Sequence, residues 1–444
     1  MSPAFACIAD QIDTGTECVD TKFSVTTTNL AANKEVKFYM SAKGTFYVDC
    51  GDGVAISGTG ASGNTITRND TTEALYSCAY TNGGVKTIKF AGRATEYNGS
   101  GSNVSSSAAI RFGYYNTADN STPGLVAGVA GSISAVFPSL SKNSDGITIH
   151  PRFVDTFART RITSIPPESF NNVVGYTGMF YRTFNYCIYL TSIPANLFSN
   201  ITKSKAYLFY GTFWHCSGIT SIPENLFANM IGNEAMFEYT FSGTGIRSIP
   251  KNLFANIRVS GYAEFAQTFQ ACTNLTKIPE GLFRGITTAT STMFHTTFNN
   301  CTNLSGYIPA SAFSGLIANG CPTATYMWTN TFEGTQLSTT PTCPPSYKVL
   351  VTDYDTLWGG RTVCELPIPK IVTTSYVQGF YDEIDATKQD RLESGVNVIT
   401  TGAPDGMVVS ITADHGIVRV HKEEIQIPVG SVENPTNWLP IWVE

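Results

Sequence analysis

Three marks recur in one phase along the middle of the chain, and they limit its fold more than anything else in the sequence. Ile-Pro pairs place prolines at 166, 194, 223, 250, 279 and 309, in steps of 28, 29, 27, 29 and 30. Thr-Phe pairs end at Phe157, Phe184, Phe213, Phe241, Phe269, Phe298 and Phe332. An aromatic follows each proline at Phe170, Phe198, Phe227, Phe254, Phe283 and Phe313. A fixed period of this length is the signature of a repeat architecture, in which single repeats cannot bury their own apolar faces and must stack.

Within one repeat, Phe180, Phe184 and Cys187 are spaced i, i+4, i+7, which is one face of a helical turn. The same set returns as Phe209, Phe213, Cys216 and as Phe294, Phe298, Cys301. Leu190 to Ile193 is short, holds Thr and Ser, and stops at proline, which reads as an edge-like strand. Phe180 and Phe184 would also share one face of a strand. The first reading puts the Leu-Thr-Ser-Ile strands on a concave sheet and makes Thr191, Ser192, Thr220 and Ser221 ligand-facing. Arg247 and Lys277 join them as the charged outliers of that row. The second reading moves the binding face to the phenylalanine segment.

The string Phe184-x-x-Cys187-x-x-Leu190-Thr-Ser-Ile193-Pro194, seen again from Phe269 to Pro279, resembles the leucine-rich repeats of BspA-type bacterial surface proteins. The resemblance covers roughly residues 150–335. It implies a curved solenoid used for adhesion or host contact. The repeat here is longer than is usual in that family. One repeat, Phe241-Ser-Gly-Thr-Gly-Ile246, lacks the cysteine and is a residue short.

Eleven cysteines is an odd count, so at least one thiol has no partner within the chain. Cys187, Cys216, Cys272 and Cys301 recur on the apolar face of the repeat and read as small core residues. Cys7 with Cys18, Cys50 with Cys78, and Cys343 with Cys364 flank short loops and read as disulfides. The cysteines and five histidines show no zinc-ligand spacing, so no metal or other cofactor is expected.

Residues 22–97 alternate as short strands, with a hairpin signal at Asp52-Gly53. The run Phe46-Tyr-Val-Asp49-Cys50-Gly51-Asp52-Gly53, with Tyr76 to Tyr80, resembles a PKD-like immunoglobulin sandwich. Cys50 stands where such domains often carry tryptophan, so a Cys50–Cys78 bridge would replace that bulk. Asp49 and Asp52 read as turn residues rather than calcium ligands. Toward the other end, Asp385-Ala-Thr-Lys-Gln-Asp390-Arg-Leu392-Glu-Ser-Gly395-Val-Asn397 resembles segments of bacteriophage tail-fibre and related virion proteins. Short β-patterned runs follow, and Trp438, Leu439, Ile441 and Trp442 crowd the terminus, which is expected to dock onto a neighbouring chain or its own sheet, with attachment to other subunits the favoured reading.

Charged residues make up only 14% of the chain, against about 25% in an average soluble protein, and the net charge is -6. That balance gives no footprint for nucleic acid. No run approaches the roughly 20 apolar residues of a membrane span. Residues 1–23 carry Asp10, Asp13, Glu17 and Asp20 and lack the pattern of a secretory signal. Either a signal was removed before this numbering begins, or the protein leaves its cell by another route, of which release by lysis inside a virus particle is one. No phosphate loop, nucleophile elbow or His-Glu-x-x-His helix is present, and His215, His295, His415 and His421 are scattered.

The expected fold is thus mainly β with short helices: an N-terminal immunoglobulin-like sandwich, a central leucine-rich-repeat solenoid and a small C-terminal β region. The expected domains are a PKD-like sandwich with an N-terminal arm (1–97), a linker and cap (98–150), the solenoid (151–342), a cysteine-closed hairpin (343–370) and an attachment or oligomerisation region (371–444). The expected function is non-enzymatic adhesion to a host-surface glycan or protein by a homo-oligomeric bacteriophage fibre or decoration subunit. The alternatives are a secreted bacterial cell-surface adhesin and, third, a solenoid glycan hydrolase.

Overall fold

The computed structural model describes residues 7–98, 108–113, 123–140, 150–228, 230–258, 261–319, 324–339, 343, 348–349, 361 and 363–365, and four C-terminal strands. The chain divides into two compact bodies: Met1–Cys343 with Val349–Cys364, and Pro344–Lys348 with Glu365–Glu444. In the second body, Val408–Ser410, Ile417–His421, Glu424–Pro428 and Trp438–Trp442 pair in that order as an antiparallel sheet. The tail-fibre-like segment 385–397, and most of the expected cysteine-closed hairpin at 343–370, lie outside the described residues.

The first body begins with two antiparallel sheets. Strands β1 (Gln11–Asp13) and β2 (Cys18–Asp20) form a small hairpin, and Cys7 is bonded to Cys18. The remaining strands are β3 (Phe23–Thr27), β4 (Lys34–Met40), β5 (Ala42–Asp49), β6 (Ser57–Gly58), β7 (Ala61–Ser62), β8 (Thr65–Arg68), β9 (Ala74–Tyr80), β10 (Thr87–Tyr97), β11 (Ile110–Arg111) and β12 (Val126–Gly131). One sheet runs β12-β3-β10-β5-β8-β7 and the other β11-β4-β9-β6. Period-two burial in β3, β4 and β5 aims Phe23, Val25, Val36, Phe38, Phe46 and Val48 into a shared core. The fully buried Cys50–Cys78 disulfide ties the end of β5 in one sheet to β9 in the other.

The repeat region corrects the expected leucine-rich-repeat solenoid. The sheets among the described residues are mostly antiparallel, and the only α-helices are the brief Ile133–Val136 and Ser314–Ala318. No concave sheet of Leu-Thr-Ser-Ile strands forms. That row makes only occasional bonds between repeats, such as the Thr191 N–H to the Thr163 carbonyl at 3.3 Å and the Arg247 N–H to Thr220 at 3.2 Å. The phenylalanine segment is neither the helix nor the strand that its spacing predicts. It is a run of overlapping turns.

The backbone explains why. In the repeat that holds Phe184, the N–H groups of Met179, Tyr181, Thr183, Asn185 and Cys187 each donate to the carbonyl three residues back. The alternate groups, those of Gly178, Phe180, Arg182, Phe184 and Tyr186, donate to Ala206, Leu208, Tyr210, Thr212 and Trp214 in the next repeat, at 2.7 to 3.0 Å. Every fourth residue is left-handed: Gly178, Arg182 and Tyr186 have φ of 62°, 53° and 57°, and Tyr207, Gly211 and His215 repeat the pattern. A left-handed non-glycine residue costs about 1–2 kcal/mol. It persists here because the bonds to the next repeat dictate the turn. Phenylalanines four apart therefore share a face without a helix.

The buried threonines close the design. Thr156, Thr183, Thr212, Thr240, Thr268, Thr297 and Thr331 each donate a hydroxyl to a carbonyl in the preceding rung, on Ile110, Phe153, Phe180, Phe209, Phe237, Phe265 and Phe294, at 2.7 to 2.8 Å. The phenylalanine beside each threonine stacks on its counterpart. The row Phe157, Phe184, Phe213, Phe241, Phe269, Phe298, Phe332 runs at 5.5 to 5.9 Å between ring centres. Phe112 stacks on Phe157 at 5.8 Å, so residues 110–113 supply the first rung and join the sheets to the stack. At the far end, Ile308–Pro309 pairs parallel with Val363–Cys364, where Cys343 is bonded to Cys364.

Replacing Thr240 by valine strands the second bond to the Phe209 carbonyl and is expected to cost about 1–2 kcal/mol in urea unfolding, whereas serine retains the bond. Phe241→Ala opens the ladder and is expected to cost about 3–5 kcal/mol. A Thr240→Val protein as stable as wild type would remove the hydroxyl row from the account. Replacing Cys50 and Cys78 with alanine releases a separation of 28 residues, and is expected to cost about 3–4 kcal/mol by the loop-entropy relation.

Candidate functional site

The register of the stack sorts each repeat into inward and outward positions. Inward lie Met179, Phe180, Thr183, Phe184 and Cys187 and their equivalents, all buried but for the half-buried Trp328 and Thr335 of the last repeat. Outward lie the positions of Tyr181, Arg182, Asn185 and Tyr186. In the next repeat these are Tyr210, Gly211, Trp214 and His215, and in the one after Glu238, Tyr239, Ser242 and Gly243. The later repeats place Ala266, Gln267, Gln270 and Ala271, then His295, Thr296, Asn299 and Asn300, then Thr329, Asn330, Glu333 and Gly334 at the same points. The turn scaffold accepts Ala, Thr or Gly outward, so it does not require the aromatics that crowd the earlier repeats.

Those aromatics form one connected surface. Tyr181 stacks on Tyr210 at 4.5 Å with planes 5° apart, and Tyr210 meets Tyr239 at 5.6 Å. Trp214 lies 4.8 Å from Tyr239 and 5.4 Å from His215, and His215 lies 4.5 Å from Tyr186. Gly211 makes this packing fit: a Cβ there would sit 3.2 Å from Arg182 Cγ and 3.7 Å from the Trp214 ring. Beside them Ile188 and Tyr189 are exposed by 47% and 46%.

Cations line the same surface. The guanidinium of Arg182 lies over Tyr181 at 4.8 Å, that of Arg159 over Tyr186 at 5.1 Å, and that of Arg161 over Tyr189 at 5.5 Å. Arg182 Nη2 also pairs with the buried Asp155 at 3.0 Å. Asn185 is fully buried, and neither atom of its amide has a hydrogen-bond partner. Burial pushes the Tyr181 and Tyr210 phenols up, so both remain hydroxyl donors at neutral pH. Burial also raises the Glu238 carboxyl to about 7 and holds His215 below its usual value.

The residues expected to face ligand lie elsewhere. Thr191, Ser192, Thr220, Ser221, Arg247 and Lys277 are exposed along the Thr-Ser row. Lys277 lines a recess there, an open depression of about 390 Å³ shared with Ser248, Glu280 and Tyr307. The outward aromatic surface was a weaker signal than the phenylalanine marks, because its tyrosines do not repeat. Their concentration around Tyr181, Tyr186, Tyr189, Tyr207 and Tyr210 is visible in the sequence nonetheless.

The recurring cysteines belong to the core. Cys187, Cys216, Cys272 and Cys301 are fully buried, each with Sγ 2.9 to 3.1 Å from a phenylalanine carbonyl of the preceding repeat. Burial pushes the Cys272 thiol up to about 11, and raises those of Cys216 and Cys301 as well. The repeat that lacks cysteine is not short at this point: Thr244 fills the place and donates to the Phe241 carbonyl at 2.7 Å. Among the described residues no group of three or more His, Cys, Asp or Glu could hold a metal ion, and no helix is long and apolar enough to cross a membrane.

One inward position breaks the pattern. Glu264 occupies the buried row of Leu208, Met236 and Met293, and both its carboxylate oxygens lie 3.0 to 3.1 Å from the Asn233 N–H. No protein-family model matches the sequence, and no curated protein or solved structure is similar to it.

Burial raises the Glu264 carboxyl from 4.5 to about 8. The folded state therefore keeps a proton that the unfolded chain has lost, and stability falls as pH rises between those values. Urea midpoints measured from pH 5 to 8 are expected to decline less steeply for Glu264→Gln than for wild type. Equal slopes would contradict the buried, protonated carboxyl.

Proposed function

We propose that this chain is a non-enzymatic recognition protein that works outside a cell and holds its ligand against the outward aromatic surface around Tyr181, Tyr210 and Trp214. One observation carries the reading: large aromatics are gathered at positions where the scaffold equally accepts alanine, threonine or glycine. Half-buried Tyr and Trp offer broad contact area with a polar handle and lose little entropy on binding. Three disulfides suit an oxidising exterior.

The virion reading rests on the tail-fibre-like segment at 385–397. It makes the protein a bacteriophage fibre or decoration subunit that attaches to its particle, or to further copies of itself, through the C-terminal region. The resemblance of the Phe-x-x-Cys-x-x-Leu-Thr-Ser-Ile-Pro string to bacterial surface repeats supports a second reading, an adhesin of the bacterial cell wall. In both, the ligand belongs to a host surface.

Labelled full-length protein bound to host cells or mucosal material tests the site. Tyr210→Ala and Trp214→Ala are expected to weaken binding tenfold or more with little change in melting temperature. Changing Thr191, Ser221, Arg247 or Lys277 to alanine is expected to leave it near wild type. The opposite pattern would return the binding surface to the Thr-Ser row.

A further inference from the structure

The first two repeats of the outward surface are cationic as well as aromatic, with Glu238 at the Tyr210 position one repeat beyond it, although the chain as a whole is acidic, with 34 Asp and Glu against 28 Lys and Arg. Arg159, Arg161 and Arg182 line its first two repeats. The carboxylate among them, Asp155, is buried and pairs with Arg182. Among the described residues neither Arg159 nor Arg161 is within salt-bridge distance of a carboxylate. Each is held by a tyrosine face instead. A cation–π contact fixes a guanidinium without cancelling its charge, so the planar fork stays available for a carboxylate or sulfate.

We infer that the ligand is an acidic polysaccharide, carboxylated or sulfated, lying along the Arg159–Arg161–Arg182 belt and over the Tyr181–Tyr210–Trp214 rings. This rests on the proposed site and adds its chemistry. The ring faces of Tyr181 and Tyr210 are taken up by each other and by Arg182, so the half-buried stack presents ring edges, and its phenol and indole groups reach the hydroxyls of a sugar. An acidic peptide shares the charge but not the dense hydroxyls that phenol and indole groups would meet.

Calorimetric titration of the full chain with dextran sulfate, polygalacturonate and neutral dextran of matched length separates these features. At least one charged polymer is expected to bind ten times or more tightly than neutral dextran, and added salt is expected to weaken it. Preference between the two identifies sulfate or carboxylate as the recognised group. The double variant Arg159→Gln/Arg161→Gln is expected to lose tenfold or more in affinity, while Arg247→Gln/Lys277→Gln is expected to bind as wild type does. Equal binding of neutral dextran, no loss in the first variant, or equally tight binding of poly-glutamate would overturn the inference. If Tyr210→Ala and Trp214→Ala still abolish attachment to the native surface in that event, the recognition site stands and only its acidic-glycan chemistry fails.

Discussion

The stack depends on how each repeat divides its backbone donors. Half of the N–H groups in the phenylalanine segment close turns within their own repeat, and the alternate half reach forward to the next. A helix would consume all of them internally and leave nothing to join the repeats. A strand would send neighbouring groups to opposite sides. The alternation observed does both jobs in one segment, and the threonine hydroxyls return a bond in the reverse direction. Repeats are thereby locked in register from both sides, which sets the phenylalanine rings face to face at about one ring spacing.

That device explains which parts of the fold could be read beforehand. The period, the inward residues and the three cysteine pairs follow from local chemistry: rings, thiols and isoleucines must share a core, and each paired cysteine flanks a short loop. The conformation of the phenylalanine segment did not follow. A four-residue spacing of rings ordinarily means a helix, and left-handed residues are ordinarily glycine. Here Arg182, Tyr186, Tyr207 and His215 take that conformation because bonds to the next repeat impose it. The constraint is non-local, so the residue type carries no trace of it. The strand expected at Leu190 to Ile193 failed for a related reason, since the hydrogen bonding that unites the repeats lies in the turn segment.

The candidate site was legible only in part. Attention to what repeats favours the core, because packing imposes the same residue at every step. A binding surface shows the reverse, a departure from the period. Tyr181, Tyr210 and Trp214 depart from it together, and only the register of the stack reveals that Ala266 and Thr329 hold the place of the two tyrosines and Gln270 that of the tryptophan. Glu264 is a departure of another kind, a titratable group set within an apolar row.

The split between inward and outward positions has a consequence for how such a protein changes over time. Substitutions at Phe184, Thr183 or Cys187 disturb two neighbouring repeats at once. Substitutions at Tyr181 or Trp214 disturb ring contacts on the outer face and leave the backbone hydrogen bonds that join the repeats in place. Stability and recognition are therefore written in separate alphabets on one strip of sequence. A lineage can exchange one attachment target for another by editing the outer letters alone, with no need to reinvent the fold that displays them.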